Sequence, residues 1–383
     1  MLRVLTLSTL YPDSARPAFG IFVERQTLAL AARPEVAVEV VAPVGLPPWP
    51  LTLHPHYRGK ARLPAHERRY GLNVHRPPFR IWPRLGEAAA GRAVAAAVLK
   101  LAPDIGADVI DAEFFWPEGV AAMHLAQALG IPFSVKARGS DIHYWGRRPR
   151  IAAQMRAAAA EAAGLIAVSA ALKSDMAAMG MPEARIGVHY TGVDLGRFRP
   201  LDRRAAKRTL GVEGPLIVTP GNLVPLKGQR LAVAALAQIP EATLLIAGEG
   251  PERPALEALI AGRGLAGRAR LLGAVPPAAM PELLAAADLM MLPSEREGLA
   301  NVWVEALACG TPILIADVGG AREVLDRPEA GRLVAREPAA IAAAAREMLA
   351  DPPDPARVRR SAERFSWELN AAKLHAHLAG MVS

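Results

Sequence analysis

Short apolar runs alternate along most of the chain with stretches whose apolar residues lie three or four apart. Residues 3–10 (RVLTLSTL), 36–43 (VAVEVVAP), 215–223 (PLIVTPGNL), 287–293 (ADLMMLP) and 313–317 (ILIAD) are runs of the first kind. Runs this short and continuous predict strands covered on both faces. The spacing predicts helices from Ile21 onward, over residues 88–101, 155–163 and 170–180, and over a final amphipathic stretch at 364–380. Ser169 stands where the helix at 170 needs an N-cap. Strand–helix alternation of this kind builds parallel sheets with helices on both faces. Residues 46–84 break the pattern: Pro, Arg, His and Trp dominate, and the stretch reads as an irregular, solvated excursion.

At 383 residues the chain is long for one domain and comfortable for two. Hydrophobic residues make up 52% and aromatic residues only 5%, so Ala, Leu and Val must fill the cores. Cys309 is the only cysteine, which excludes an intramolecular disulfide and fits a reducing compartment. Its place after an apolar helix predicts a packed thiol rather than a nucleophile. No apolar run reaches the length of a membrane span, and the apolar start continues into Tyr11-Pro12-Asp13 without a cleavage pattern, so it reads as a first strand. A cytoplasmic protein is expected.

The net charge of +8 is unevenly placed. Residues 1–200 hold 24 Lys and Arg against 16 Asp and Glu, whereas residues 201–383 hold 21 of each. Residues 54–84 alone carry eight basic side chains and one acid, Glu67. A cationic, aromatic-tipped surface of this sort suits anionic lipid or a lipid-linked pyrophosphate, at the inner face of a membrane. No nucleic-acid module accompanies it, so nucleic acid is not expected as a partner.

The densest chemistry lies at residues 293–320, which read as a strand end, an acidic loop, a helix and a second strand. Loop and helix start belong at the carboxyl ends of the strands, where open α/β sheets bind ligands. Backbone amides of Leu299, Ala300, Asn301 and Val302 would open the helix and favour an anion. Glu297 on the loop and Glu305, about two turns into the helix, can accept hydrogen bonds from sugar and ribose diols. Lys227-Gly228, at another predicted helix start, can neutralise a diphosphate. Together these groups suit a nucleotide sugar.

The segment EGLANVWVEALACGTP resembles the E-x7-E signature of glycosyltransferase family 4, and GNLVPLKG, RGSDI and GIFVERQ extend the likeness over nearly the whole chain. The resemblance implies the GT-B fold: two Rossmann-like, doubly wound α/β domains facing a central cleft, with the last helix crossing back. It implies an acceptor-binding domain at 1–198, a nucleotide-sugar-binding domain at 199–365 and a returning helix at 366–383. It also implies a retaining hexosyltransferase that needs no metal and no cofactor beyond its donor, acting in exopolysaccharide or lipid-linked oligosaccharide assembly. On this reading Lys227, Glu297, Asn222 and Arg138 are catalytic. Gly20, Gly221, Gly228, Gly273, Val275, Gly298 and Glu305 join Lys227, Glu297 and residues 299–302 around the donor. Glu113, Trp116, Arg138, Gly139 and Asp141 line the acceptor side. Relatives often carry histidines at positions 113 and 138, and Arg at 222. No Asp-x-Asp pair or His/Cys metal spacing is present. A nucleotide-sugar 2-epimerase of the same fold and a non-catalytic donor-binding module remain as alternatives; turnover without acceptor marks the first, binding without transfer the second.

Overall fold

The structure is a computed structural model that describes residues 1–17, 19–82, 86–101 and 105–382. Ala18 of the loop before Ile21, Arg84 of the basic stretch, residues 102–104 and Ser383 lie outside it. The chain divides into two compact units, Met1–Gly192 with Trp367–Ser383, and Val193–Ser366.

The first unit is built on an eight-stranded sheet. Its strands are β1 (Leu2–Leu7), β2 (Val36–Val41), β4 (His66–Arg69), β5 (Leu72–His75), β7 (Val109–Ala112), β8 (Phe133–Ala137), β9 (Gly164–Ala167) and β10 (Ile186–Val188), ordered 10-9-8-7-1-2-5-4. All neighbours are parallel except β4 and β5. A separate parallel pair joins β3 (Val44–Leu46) to β6 (Pro78–Arg80). Helices α1 (Ile21–Ala31), α2 (Ala90–Leu99), α3 (Val120–Leu129), α4 (Pro149–Glu161) and α5 (Ala170–Ala178) follow the alternation. Strand order reverses between β1 and β7.

The second unit holds six parallel strands, β11 (Leu216–Pro220), β12 (Thr243–Ala247), β13 (Ala269–Gly273), β14 (Leu289–Leu292), β15 (Ile313–Ala316) and β16 (Gly331–Val334), ordered 13-12-11-14-15-16. Their direction of winding reverses between β11 and β14. Helices α6 (Arg203–Thr209), α7 (Gln229–Leu236), α8 (Arg253–Gly262), α9 (Met280–Ala286), α10 (Asn301–Ala308) and α11 (Pro338–Ala350) cover the sheet. Residues such as Ile217, Leu244, Leu289 and Leu314 pack with Val233, Leu256 and Ile341 in its core.

Helix α12 (Trp367–Ala379) returns to the first unit, where Leu374 and Leu378 are fully buried against the core around Val4, Leu30 and Val109. Burial of two leucines is worth about 3–6 kcal/mol relative to exposure. Two histidines add polar ties: His377 Nε2 lies 2.8 Å from Ser134 Oγ, and His189 Nε2 lies 2.9 Å from the Asn370 carbonyl. Burial pushes both imidazoles down, His377 to about 4 and His189 to about 3.

Several local expectations need correction. Residues 46–84 contain four strands or strand ends rather than an irregular excursion. Leu72 and Val74 alternate inward with Asn73 and His75 outward, a period of two that is easily hidden in four residues. The β4–β5 hairpin turns on Tyr70-Gly71, both at positive φ (48° and 88°), the geometry of a two-residue turn normally written Asn-Gly. Helix α4 begins at Pro149, not near Met155; proline at the first helical position was the available signal. The first strand stops at Leu7, three residues short of Leu10.

Candidate functional site

In the second unit the candidate residues gather at the β11/β14 reversal. Past β11, Gly221 donates its amide to the Ala247 carbonyl, and Asn222 is exposed, its own carbonyl accepting from Gln229 Nε2 at 3.1 Å. A single 3-10 turn, Pro225–Lys227, then leads into α7. Gly228 sits between them in the left-handed region (φ 75°), and a Cβ there would lie 2.3 Å from the Pro293 carbonyl oxygen. Only glycine lets the Lys227 turn lie this close to the end of β14.

The acidic loop is fastened on both sides. The Glu295 amide donates to the Leu226 carbonyl at 2.7 Å, and the Gly320 amide donates to the Gly298 carbonyl at 2.7 Å. These bonds bring Glu297 to Lys227, whose Nζ lies 2.5 Å from Oε1; the side chains are 10% and 22% exposed. Leu299 and Ala300 are buried, Ala300 is the N-cap of α10, and no side chain caps that helix. Its first turn begins at Asn301, four residues after Glu297, and the alanine at its N-cap offers no side-chain acceptor to the first amides. Glu305 is half-buried and lies four residues beyond Asn301, about 6 Å along the axis. It is one turn in, not two, because α10 begins at Asn301. Gly273 and Val275 stand at the end of β13, where a Cβ on Gly273 would meet Glu249 Oε1. Cys309 is buried, and desolvation pushes its thiol up to about 12, as a packed thiol requires.

In the first unit the candidates split between buried supports and a cavity. Glu113 follows β7 and has no exposed surface. Its carboxylate pairs with Lys136 Nζ at 2.9 Å and with the Arg138 guanidinium, and accepts from Gln26 of α1. Arg138 also donates to the Glu113 carbonyl at 3.1 Å and lies 4.7 Å over the Phe22 ring. Burial works against the Glu113 charge, yet Arg138 and Lys136 hold its carboxyl well below the usual range. Asp111, equally buried, is pushed up to about 8 by desolvation and by the Glu113 charge, so it keeps a proton that offsets the crowding. Asp141 accepts from the amides of Phe115, Arg138, Gly139 and Ile142, which locks the Arg138-Gly139 turn.

Glu113 and Asp141 thus spend their oxygens on the protein itself, and direct contact with an acceptor is not what their positions provide. They set the place of Arg138 and of the loop after β8. Trp116 is buried too, but one face forms part of a cavity of about 360 Å³. Gly20 heads α1 in the left-handed region, and a Cβ there would strike the Leu10 carbonyl at 1.7 Å, so its own loop already requires glycine. Sequence reasoning passed over Lys136 and Gln26. A lysine inside the apolar strand FSVKA was the signal for a buried partner.

The basic stretch is less free than its composition suggests. Arg69 pairs with the buried Glu24, and the buried Arg76 pairs with Glu67 at 2.5 Å and donates to the Pro12 carbonyl. Arg58, Arg62, Arg68 and Arg80 remain exposed. No helix among the described residues is long and apolar enough to cross a membrane, and no group of three metal-ligating side chains gathers among them.

Known proteins match both units. Residues 202–365 fit the sequence profile of Glycosyl transferases group 1, and residues 23–197 that of Glycosyltransferase Family 4. TuaC of Bacillus subtilis, by name a teichuronic acid biosynthesis glycosyltransferase, is 30% identical over 331 residues, 83% of this chain and 82% of its own. A D-inositol 3-phosphate glycosyltransferase of Thermobispora bispora is 38% identical across half of each chain. Among solved structures, sucrose-phosphate synthase of Thermosynechococcus elongatus superposes with a TM-score of 0.80 at 21% identity over 98% of each chain. Anabaena HepE in complex with UDP gives 0.78 at 22% identity over 99% of this chain and 100% of its own. These two share the fold. The chain is a GT-B glycosyltransferase and belongs to glycosyltransferase family 4.

Proposed function

We propose that the enzyme moves a sugar from a nucleoside diphosphate to an acceptor hydroxyl, with retention and without a metal ion, in exopolysaccharide or lipid-linked oligosaccharide assembly. The observation that carries the reading is the Lys227–Glu297 pair at 2.5 Å, set beside the uncapped start of α10 at the β11/β14 reversal. As the bond from the sugar's anomeric carbon to the diphosphate breaks, its electron pair leaves with the diphosphate oxygen. Lys227 and the first amides of α10 are preorganised to receive that charge. Glu297 then turns its carboxylate to the sugar hydroxyls, and Glu305 accepts from the ribose diol. Asn222 offers a neutral hydrogen bond where an Arg would offer a charge, which places more of the leaving-group stabilisation on Lys227.

Family membership supports retention. HepE structures that hold UDP and UDP-glucose support a nucleotide-sugar donor, and the name of TuaC supports a polysaccharide product. On the acceptor side, Arg138 and the loop pinned by Asp141 shape the approach. Exposed Arg58, Arg62, Arg68 and Arg80 hold the protein to anionic lipid at the inner face of the plasma membrane.

A thermal-shift panel of UDP-, GDP-, ADP- and TDP-sugars tests the donor site. A ligand at a hundredfold excess over Kd adds about 2.7 kcal/mol of stability. At least one sugar nucleotide should raise the melting temperature, with EDTA present or absent. A flat panel overturns the donor reading, and a shift that needs magnesium overturns the metal-free one.

A further inference from the structure

The cavity of about 360 Å³ in the first unit lies beyond the carboxyl ends of β1 and β2. Its walls are aromatic: Phe79 on β6, Trp82 just after it, Trp116 after β7, and Trp145, whose ring centroid is 6.4 Å from that of Trp116. Most charged groups on the wall are already matched. Asp13 pairs with Arg16 at 2.8 Å, Arg76 with Glu67, and Glu87 with Arg148.

Lys60 is the exception. It belongs to a 3-10 turn, Lys60–Arg62, and among the described residues no carboxylate lies within ion-pair distance of it. Its Nζ lies 3.4 Å from His56 Nε2 and 5.8 Å from the Tyr57 ring centre. Desolvation first, and then the neighbouring Arg16, lower its affinity for a proton, with only Asp13 opposing. After these pairs cancel, the described residues of the wall leave the positive charge of Lys60 without a carboxylate partner, between aromatic walls. A ligand that fits has an anionic head and an apolar body. Phosphoryl oxygens suit the head, because several of them can reach Lys60 and Arg16 together. Trp82 on the cavity wall is 51% exposed, and Trp49, Leu51 and Leu53, seven to eleven residues before Lys60 in the chain, are exposed as well. Exposed apolar side chains in the same stretch of chain as a cationic turn suit a lipid-facing surface.

We propose that this cavity receives a lipid-borne phosphate or pyrophosphate, with the phosphoryl group on Lys60 and Arg16 and the chain on Phe79, Trp82, Trp116 and Trp145. The inference rests on the reading of the acceptor as lipid-linked and assigns that acceptor's anchoring site. The occupant is the lipid pyrophosphate of that acceptor, for which farnesyl diphosphate serves as the probe; a bulk phospholipid offers related chemistry and is separated by the test.

Calorimetric titration of the full chain with farnesyl diphosphate, farnesol, inorganic pyrophosphate and phosphatidylglycerol vesicles decides the matter. Farnesyl diphosphate should bind saturably and at least about tenfold more tightly than farnesol or pyrophosphate, since head and chain each supply a contact. Lys60→Ala and Trp82→Ala should each weaken it by about tenfold, and Trp82→Ala, at an exposed site, keeps the test independent of folding. Pyrophosphate binding as tightly as farnesyl diphosphate overturns the proposal, as does unchanged affinity in both variants or binding to vesicles alone. UDP-glucose titrated into the same protein reads the donor site separately. Farnesyl diphosphate binding without nucleotide-sugar binding keeps the cavity assignment and defeats the proposed function; the reverse pattern defeats the cavity assignment.

Discussion

Replacing Lys227 by Ala does more than delete a cation. Lys227 and Glu297 now cancel each other at 2.5 Å. Without the ammonium, the Glu297 carboxylate is stranded beside the position proposed for the diphosphate, and the local charge goes from zero to minus one. Two unit charges about 4 Å apart interact by about 4 kcal/mol at an effective dielectric of about 20. Exposures of 22% and 10% let solvent screen part of this, so roughly 2.7 kcal/mol is a fair lower figure, equal to about a hundredfold in rate. The assay is nucleoside diphosphate release with the donor that stabilises the protein best, followed as kcat/KM. Lys227→Ala should lose at least ~100-fold. Glu297→Gln should cost less in the Lys227→Ala background than in wild type, because it then also removes a repelling charge. Melting temperature is the control: a partly exposed pair contributes about 1 kcal/mol or less, a shift of roughly 2–4 °C at most in a unit of this size. A kcat/KM within about threefold of wild type, in a folded variant, refutes the leaving-group role.

Three further outcomes are expected. The triple variant Arg58→Ala, Arg62→Ala, Arg68→Ala should partition onto phosphatidylglycerol vesicles at low salt about 100-fold less than wild type, at about 1 kcal/mol for each arginine; Arg69→Ala, which removes a partner of Glu24, should not, and a wild type that never sediments with vesicles ends the membrane reading. Asp111 keeps its proton in the fold up to about pH 8 but loses it near 3.8 when unfolded, so its contribution to stability falls as pH rises through that window. Urea midpoints of Asp111→Asn should therefore gain on wild type from about pH 4 to 8, and parallel curves would show that Asp111 is ionised in the fold. His377 acts oppositely: neutral in the fold down to about pH 4 but protonated below 6.5 when unfolded, it adds stability that is full above 6.5 and lost toward pH 4. His377→Gln should flatten that acid limb, and an unchanged slope would remove His377 from the attachment of α12.

Much of the second unit was legible because its signals are local. Strand runs such as LMML and ILIA, glycine before α7 and the spacing of Glu297 and Glu305 each lie within a few residues of what they specify. The first unit was harder. Its hairpin uses Tyr-Gly in place of the usual turn pair, and Leu72 and Val74 give an alternation too short to stand out. Charge was the least legible property. Arg69 and Arg76 count as free cations in a composition, yet Glu24, 45 residues away, neutralises the first, and Glu67 across a hairpin neutralises the second. Conversely, Lys60 reads as one basic residue among eight, and only the fold sets it on an aromatic cavity wall with no carboxylate of the described residues at ion-pair distance.

Sequence alone determined which segments became strands and helices, and which side chains stood at strand ends with the right chemistry, because backbone preference and apolar periodicity act over short distances. Tertiary structure decided who meets whom. Lys227 and Glu297 are 70 residues apart, and they touch only because β11 and β14 are neighbours at the point where strand order reverses. Ion pairing and desolvation depend on such through-space neighbours, and a linear pattern does not carry them.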